Sequence, residues 1–314
     1  MYRYAAKRIL LTIPTLAIAS GLVFFFVRLL PGDPALLVVG DIQDEQVLQE
    51  VRRSLGLDRP IFIQYLIWIK DILSLDFGVS ISSGAPVFET IMSRFGVTAQ
   101  LVLIAIMLAL VIAVPVGLIA AWKHNSAIDH GVMIAAILML SVPSFWVALM
   151  LILVFGVKLG WLPTVGYVSP AADFLAGLSY LIMPVVALAL VVLGQLTRMM
   201  RSTAIDVLGR EYVTHARAKG LSEARVLRGH VLKNAFAPTL TVTGMIVGSL
   251  LGGAAVIETI FTLPGVGRLL VDSIYARDYP VIQGSVLIVG AAYVLVNLIV
   301  DLLYPFLDPR VRLQ

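Results

Sequence analysis

Cysteine is absent from the 314 residues, which removes disulfides, thiol catalysis and most soft-metal sites. Charge is scarce as well: 13% of the residues are Asp, Glu, Lys or Arg, against about 25% in an average soluble domain. None of the six lysines is followed by Ser or Thr; the next residues are Arg8, Asp71, His124, Leu159, Gly220 and Asn234. A phosphate-cradling G-x-x-x-x-G-K-[ST] loop therefore cannot occur in this sequence, and ATP hydrolysis by such a loop is excluded. The glycine pair Gly265 and Gly267 lacks a third member and opens no dinucleotide-binding unit. No His-Glu-x-x-His is present, and His124, His130, His215 and His230 all fall between the apolar stretches.

What charge there is clusters. Six windows carry none: residues 9–27, 95–122, 131–157, 174–197, 234–257 and 279–300. A helix needs about 20 apolar residues to cross the hydrocarbon core, and a central charge costs about 2.5–3.5 kcal/mol. The windows predict an all-α membrane protein with six transmembrane helices, at about 9–30, 97–122, 131–156, 178–198, 237–257 and 282–304. A β-barrel is excluded, because its strands alternate in polarity whereas residues 101–114 are apolar on every face. Proton-coupled carriers place titratable groups near the midplane, and these windows hold none. Asn297 and Asp301, one turn apart at the end of the last span, read as an interhelical hydrogen bond and an interface anchor.

Arg3, Lys7 and Arg8 precede the first apolar run as they would in a signal peptide, and Ala17-Ile18-Ala19 offers a cleavage site. The run continues to Val27, a full span, so retention is expected. Basic residues then report orientation rather than nucleic acid: eight lie between Arg198 and Lys233. Both termini and residues 198–236 are expected in the cytoplasm, and residues 31–96 outside. Within that outer region, 43–54 reads as a charged surface helix. Residues 61–73, with Phe62, Tyr65 and Trp68, read as either an interfacial helix or a buried cap over the bundle.

Gly244, Gly248 and Gly252 recur every four residues and lay a smooth stripe suited to close helix packing. Pro264, Gly265 and Gly267 punctuate the segment after the fifth span, which reads as part of an outer gate, a receptor contact, or a structural corner. Residues 198–233 are too long for a connector. A first helix is expected from about Arg210 to Lys219, with Glu211 in its first turn, Lys219 in its last and Gly220 where a left-handed C′ residue belongs. Ser222 fits the N-cap of a second helix running to about Asn234, before Pro238. Both ends of this pair are tied to spans, which suits a cytoplasmic protein partner better than a duplex; a basic anchor on anionic lipid is the plainer alternative.

The stretch Arg210-Glu211-Tyr212-Val213-Thr214-His215-Ala216-Arg217-Ala218-Lys219-Gly220-Leu221-Ser222 resembles the EAA loop of binding-protein-dependent ABC importer permeases. Thr214-His215-Ala216 stands where that pattern has Glu-Ala-Ala, keeping the last Ala and the following Gly220. Further pieces resemble dipeptide/oligopeptide permeases: Arg28 through Pro34, Leu55-Gly56-Leu57-Asp58, Glu258 to Gly267, Arg277-Asp278-Tyr279-Pro280-Val281, and Leu307-Asp308-Pro309-Arg310-Val311-Arg312.

The resemblance implies a type I importer permease in a bacterial inner membrane. It implies a pore-forming, non-enzymatic subunit for peptides or peptide-like solutes, paired with a second homologous permease, two cytoplasmic ATPase subunits and an extracytoplasmic substrate-binding protein. ATP and Mg would be used by the ATPases, with no cofactor, metal or nucleic acid on this chain. The coupling contacts implied are Glu211, Tyr212, Ala216, Gly220 and Leu221, with Arg217 and Lys219 as polar partners. The alternative is an ion-coupled secondary transporter or channel acting without an ATPase.

Overall fold

The computed structural model describes residues 2–28, 45–54 and 56–307. The motif pieces at 29–34, 55 and 308–312 lie outside the described residues. Among the described residues the helices follow in order: α1 (Tyr2–Arg28), α2 (Glu45–Ser54), α3 (Ile61–Leu73), α4 (Val87–Trp122), α5 (Ala127–Ser141), α6 (Ser144–Leu151), α7 (Phe174–Leu208), α8 (Glu211–Ala218), α9 (Glu223–Val226), α10 (Leu232–Gly253), α11 (Ala255–Ile260), α12 (Val266–Ala276) and α13 (Tyr279–Leu307). Two π-helical segments extend this set, Ile152–Lys158 after α6 and Leu227–Val231 between α9 and α10. The described residues contain one isolated β-bridge, Val79 to Pro86, and no strand.

Among the described residues five helices are long and apolar enough to cross a membrane, and a sixth crossing results if a bent pair counts as one. That pair, α5 with α6 and the π segment that follows it, covers the expected third span and is bent by 92°. The bend is local chemistry. Pro143 has no N–H to give and forces Val142 into extended backbone (φ −92°, ψ 123°), so the helix stops and restarts. The other helices outrun their charge-free windows: α4 begins at Val87, and α7 continues through Arg198, Arg201 and Asp206 to Leu208. A window marks the apolar length, and a helix needs only backbone bonds to continue into water.

α4, α7 and α10 form the centre. α4 and α7 share the most extensive packing, through Leu101, Ala105, Leu181, Ala187 and Leu188 at one end and Ala113, Val192 and Leu196 further along. Half of the apolar window of α7 is buried, against 6% of that of α13, so α1 and α13 form the rim. Arg8 Nη1 lies 3.0 Å from Asp301 Oδ2, joining those two helices, whereas Asn297 bonds within its own helix, to the Tyr293 carbonyl at 3.0 Å. α3 has no buried residue and lies alongside α1, with Phe24 against Tyr65 and Trp68 and the Ser20 hydroxyl 2.9 Å from that of Tyr65. It is therefore no buried cap.

Candidate functional site

The segment between α7 and α10 forms a compact helix pair at one end of the bundle. α8 begins at Glu211, whose carboxylate suits the positive end of a helix, and closes at Lys219. Gly220 then adopts φ +78°, and the amides of Gly220 and Leu221 return to the Arg217 and Ala216 carbonyls at 2.9 and 3.4 Å. Ser222 occupies the N-cap position of α9 without a side-chain capping bond. The turn is fastened instead by Arg217, whose Nε and Nη2 donate to the two Glu223 carboxylate oxygens at 2.8 and 3.2 Å.

Beneath the pair, Val213, Ala216, Val226, Val231 and Ala235 pack with Ala121 of α4 and Met200 and Ala204 of α7. The expected docking residues divide accordingly. Glu211, Tyr212, Lys219 and Gly220 are exposed and Leu221 is half-buried. Ala216 is a correction: it is 5% exposed, inside the apolar cluster, and offers no surface to a partner. Arg217 is exposed but engaged with Glu223.

The second helix was also expected to stop near Asn234. It runs on instead through the π segment into α10, with Pro238 inside the helix. The extra residue of the π turn keeps the chain helical where the window edge suggested a break. Thr203 donates to the Ala235 carbonyl at 3.1 Å, tying α7 to this junction. At the same end Asp129 of α5 is buried and pairs through both oxygens with the Arg201 guanidinium of α7, Nη2 to Oδ2 at 2.7 Å.

The opposite end is built around α12. Pro264 and Gly265 turn the chain from α11 into α12, and a Cβ on Gly265 would overlap the Glu258 carboxylate. A Cβ on Gly267 would meet Ala255 Cα at 2.6 Å, so α12 lies directly on α11. Glu258 is fully buried. Its Oε1 accepts from Thr98 of α4 at 2.5 Å and its Oε2 from the Arg268 amide at 2.9 Å, while the Thr98 hydroxyl accepts from the Val266 amide at 2.9 Å. Burial pushes the Glu258 carboxyl up, against the opposing pull of Thr98 and the Arg268 and Gly267 amides.

At the other end of α12, Asp278 is buried and accepts from the hydroxyls of Ser80 (2.5 Å) and Ser82 (2.8 Å) and from the amides of Ile81 and Ser82 (3.2 Å each). Burial alone would raise this carboxyl; the four donors outweigh it and hold Asp278 below the usual carboxylate range. The sequence reading missed Glu258, Thr98, Asp278, Ser80 and Ser82. Glu258 had one visible signal, a carboxylate at the very edge of a charge-free window followed by Pro-Gly punctuation.

Along α10, a Cβ on Gly244 would meet Val300 Cγ2 at 2.8 Å and one on Gly248 would overlap the Tyr293 ring, so both lie against α13. Gly252 is exposed with nothing within 4 Å, and the stripe packs over two of its three expected positions. These arrangements join helices to one another.

Comparison with known proteins gives concordant matches. The profile described as "Binding-protein-dependent transport system inner membrane component" matches residues 113–313, and that of the corresponding N-terminal region matches residues 1–102. A peptide transport system permease protein of Brucella abortus (strain 2308) is 43% identical over 306 residues, 98% of each chain. The glutathione transport system permease protein GsiC of Escherichia coli (strain K12) is 43% identical over 312 residues, 99% of each chain. A crystal structure of an amino acid ABC transporter with histidines superposes with a TM-score of 0.47 at 19% identity, covering 71% of this chain and 94% of that one.

Proposed function

The chain belongs to the family of binding-protein-dependent transport system inner membrane components, and from that premise we propose that it carries peptides or peptide-like solutes by converting the closure of partner ATPases into movement of α10. The family makes it a multi-pass permease subunit of an ABC importer, working with ATPase and substrate-binding partners. The peptide and glutathione systems named among its relatives support the solute class. In this reading the second permease is a different, homologous chain, the α8–α9 end and both termini are cytoplasmic, and this chain performs no catalysis and binds no cofactor. ATP and Mg are handled by the ATPases.

One observation carries the coupling role. The exposed Glu211, Tyr212, Lys219 and Gly220 sit on α8 and its closing turn, which is tied to α9 by Arg217 and Glu223, and α9 continues through the π segment into α10 without a break. A force applied there has a rigid path into the bundle, because a helix transmits displacement along its axis. Leu221 supplies a partly apolar contact; Ala216 and Arg217 act from behind, one by packing and the other by fixing the turn. Pro264, Gly265 and Gly267 belong in this scheme to the outer gate.

The test is reconstitution of the chain in proteoliposomes with and without its ATPase and receptor partners. Uptake of receptor-bound peptide is expected only with both; uptake without an ATPase overturns the reading. Gly220→Pro sharpens the same test, since proline cannot adopt φ +78°. Membrane insertion should persist while ATP hydrolysis continues without uptake, and unchanged uptake would remove the coupling role.

A further inference from the structure

Glu258 is a buried carboxylate with no cation paired to it among the described residues. From α4 the group facing it is the Thr98 hydroxyl; from α12 they are the amides of Gly267 and Arg268. The Arg268 guanidinium lies 3.8 Å from Asp272, and no charged side chain among the described residues contributes to the state of Glu258. The 159–173 loop meets this corner through backbone, the Gly166 amide donating to the Phe261 carbonyl at 2.9 Å, and its Tyr167 hydroxyl donates to Gln100 of α4 at 3.3 Å.

An ionised group in this setting costs folding stability, since its desolvation is offset only by hydrogen bonds, and a neutral residue of the same shape would relieve that cost. The carboxyl, raised by burial, makes the fold more stable as pH falls through its raised value and less stable as pH rises through it. The charged state is therefore a burden to folding, yet backbone donors face it: the Arg268 amide donates to Oε2, where a proton would meet an N–H group, and the Gly267 amide pulls the same way. Thr98 completes the geometry by donating to the carboxylate while accepting from Val266, so the first turn of α12 is tied to the membrane helix α4 through one side-chain pair.

We propose that Glu258 is a positioning residue for transport, its carboxylate binding α12 to α4 through Thr98 so that this corner moves with α4 as one body when the permease changes state. The proposal rests on the importer reading above and goes beyond it by assigning the coupling at the end remote from the ATPase contact. Neutralising the carboxyl leaves the helices folded but lets α12 move independently of α4.

The experiment uses the full complex in proteoliposomes, with uptake of a receptor-delivered peptide, ATP hydrolysis and thermal unfolding measured together over a range of receptor-side pH. Wild-type uptake with receptor and ATPase is the control; if it is absent, the importer reading has failed, and this inference falls with it. With the control positive, Glu258→Gln is expected to lose about tenfold in uptake, the scale of a charge-assisted hydrogen bond, with an unfolding temperature no lower than wild type and ATP hydrolysis retained. Wild-type uptake should fall as pH drops through a midpoint above the ordinary glutamate range, while the Gln variant stays flat.

Thr98→Val removes the donor that lowers the carboxyl and should move that midpoint upward, and Thr98→Ser should restore it. Uptake by Glu258→Gln equal to wild type overturns the proposal. So does a parallel loss of uptake and unfolding temperature, which would mark a purely structural residue, or a pH profile unchanged by Thr98→Val.

Discussion

The α8–α9 pair is fastened by apolar packing under an exposed surface, with the buried Asp129–Arg201 tie lying outside it between α5 and α7, whereas α12 is fastened by buried carboxylates that collect backbone amides and hydroxyls. Val213, Ala216, Val226 and Val231 hold the helix pair by non-directional contact, and the tie across the turn, Arg217 to Glu223, is exposed on both sides. Thr98–Glu258 and Ser80/Ser82–Asp278 are directional and desolvated, and between them they pin both ends of α12 to the segment 80–98. Apolar packing tolerates a small displacement, while a carboxylate collecting several donors accepts one geometry. The first end is suited to being pushed, and the second to holding its shape while α4 moves.

The comparison breaks most directly at Asp278. Asp278→Ala leaves two hydroxyls and two amides without their acceptor, and is expected to destabilise the protein by about 3–5 kcal/mol. Thermal unfolding in detergent measures this, and proteolysis should open first within residues 78–86. Because this carboxyl is held below the usual range, its contribution is complete above the ordinary Asp value of about 4 and is lost only as pH falls through the lowered one. The two carboxylates that flank α12 thus respond to acid in sequence, Glu258 before Asp278. A wild-type-like unfolding temperature for Asp278→Ala would show that directional ties do not dominate that end.

Val226→Ala probes the other end at smaller cost. It removes two methyl groups from a site with no exposure, worth about 1–2 kcal/mol including an incompletely closed cavity. Peptide uptake should decline with ATP hydrolysis intact, since α8–α9 would sit more loosely on α7. A loss comparable to that of Asp278→Ala would erase the distinction between the ends.

The same distinction explains what the sequence disclosed. Spans are visible because hydropathy is a sum over neighbours, and the α8–α9 turn is visible because Glu211, Lys219, Gly220 and Ser222 act within one or two turns of themselves. The bend at Val142-Pro143 carried a local signal, but a continuous apolar window concealed it. Thr98 and Glu258 are 160 residues apart and Ser80 and Asp278 are 198 apart, and nothing in a span marks one threonine as the partner of a distant carboxylate. Ala216 was read as a contact because a motif is linear, whereas its burial is decided by Met200 and Ala204 on another helix.

The smallest effect is expected at Arg217. Its pair with Glu223 is bidentate but 39% and 41% exposed, and water and salt screen a pair of that kind to roughly 0–1 kcal/mol. Arg217→Ala should therefore shift the unfolding temperature barely at all, and raising salt should remove what shift there is. Its effect on coupling can still be larger than its effect on stability, because the pair fixes the angle at which α8 meets α9 while the apolar cluster alone holds them together. The double substitution Arg217→Ala with Glu223→Ala separates the two roles: if the pair acts only on the turn, the double variant should match the single one in stability and in uptake per ATP. A stability loss at Arg217 approaching that of Asp278→Ala would mean that the helix pair, too, is held by directional charge, and the contrast between a pair that yields and a helix that keeps its geometry would no longer stand.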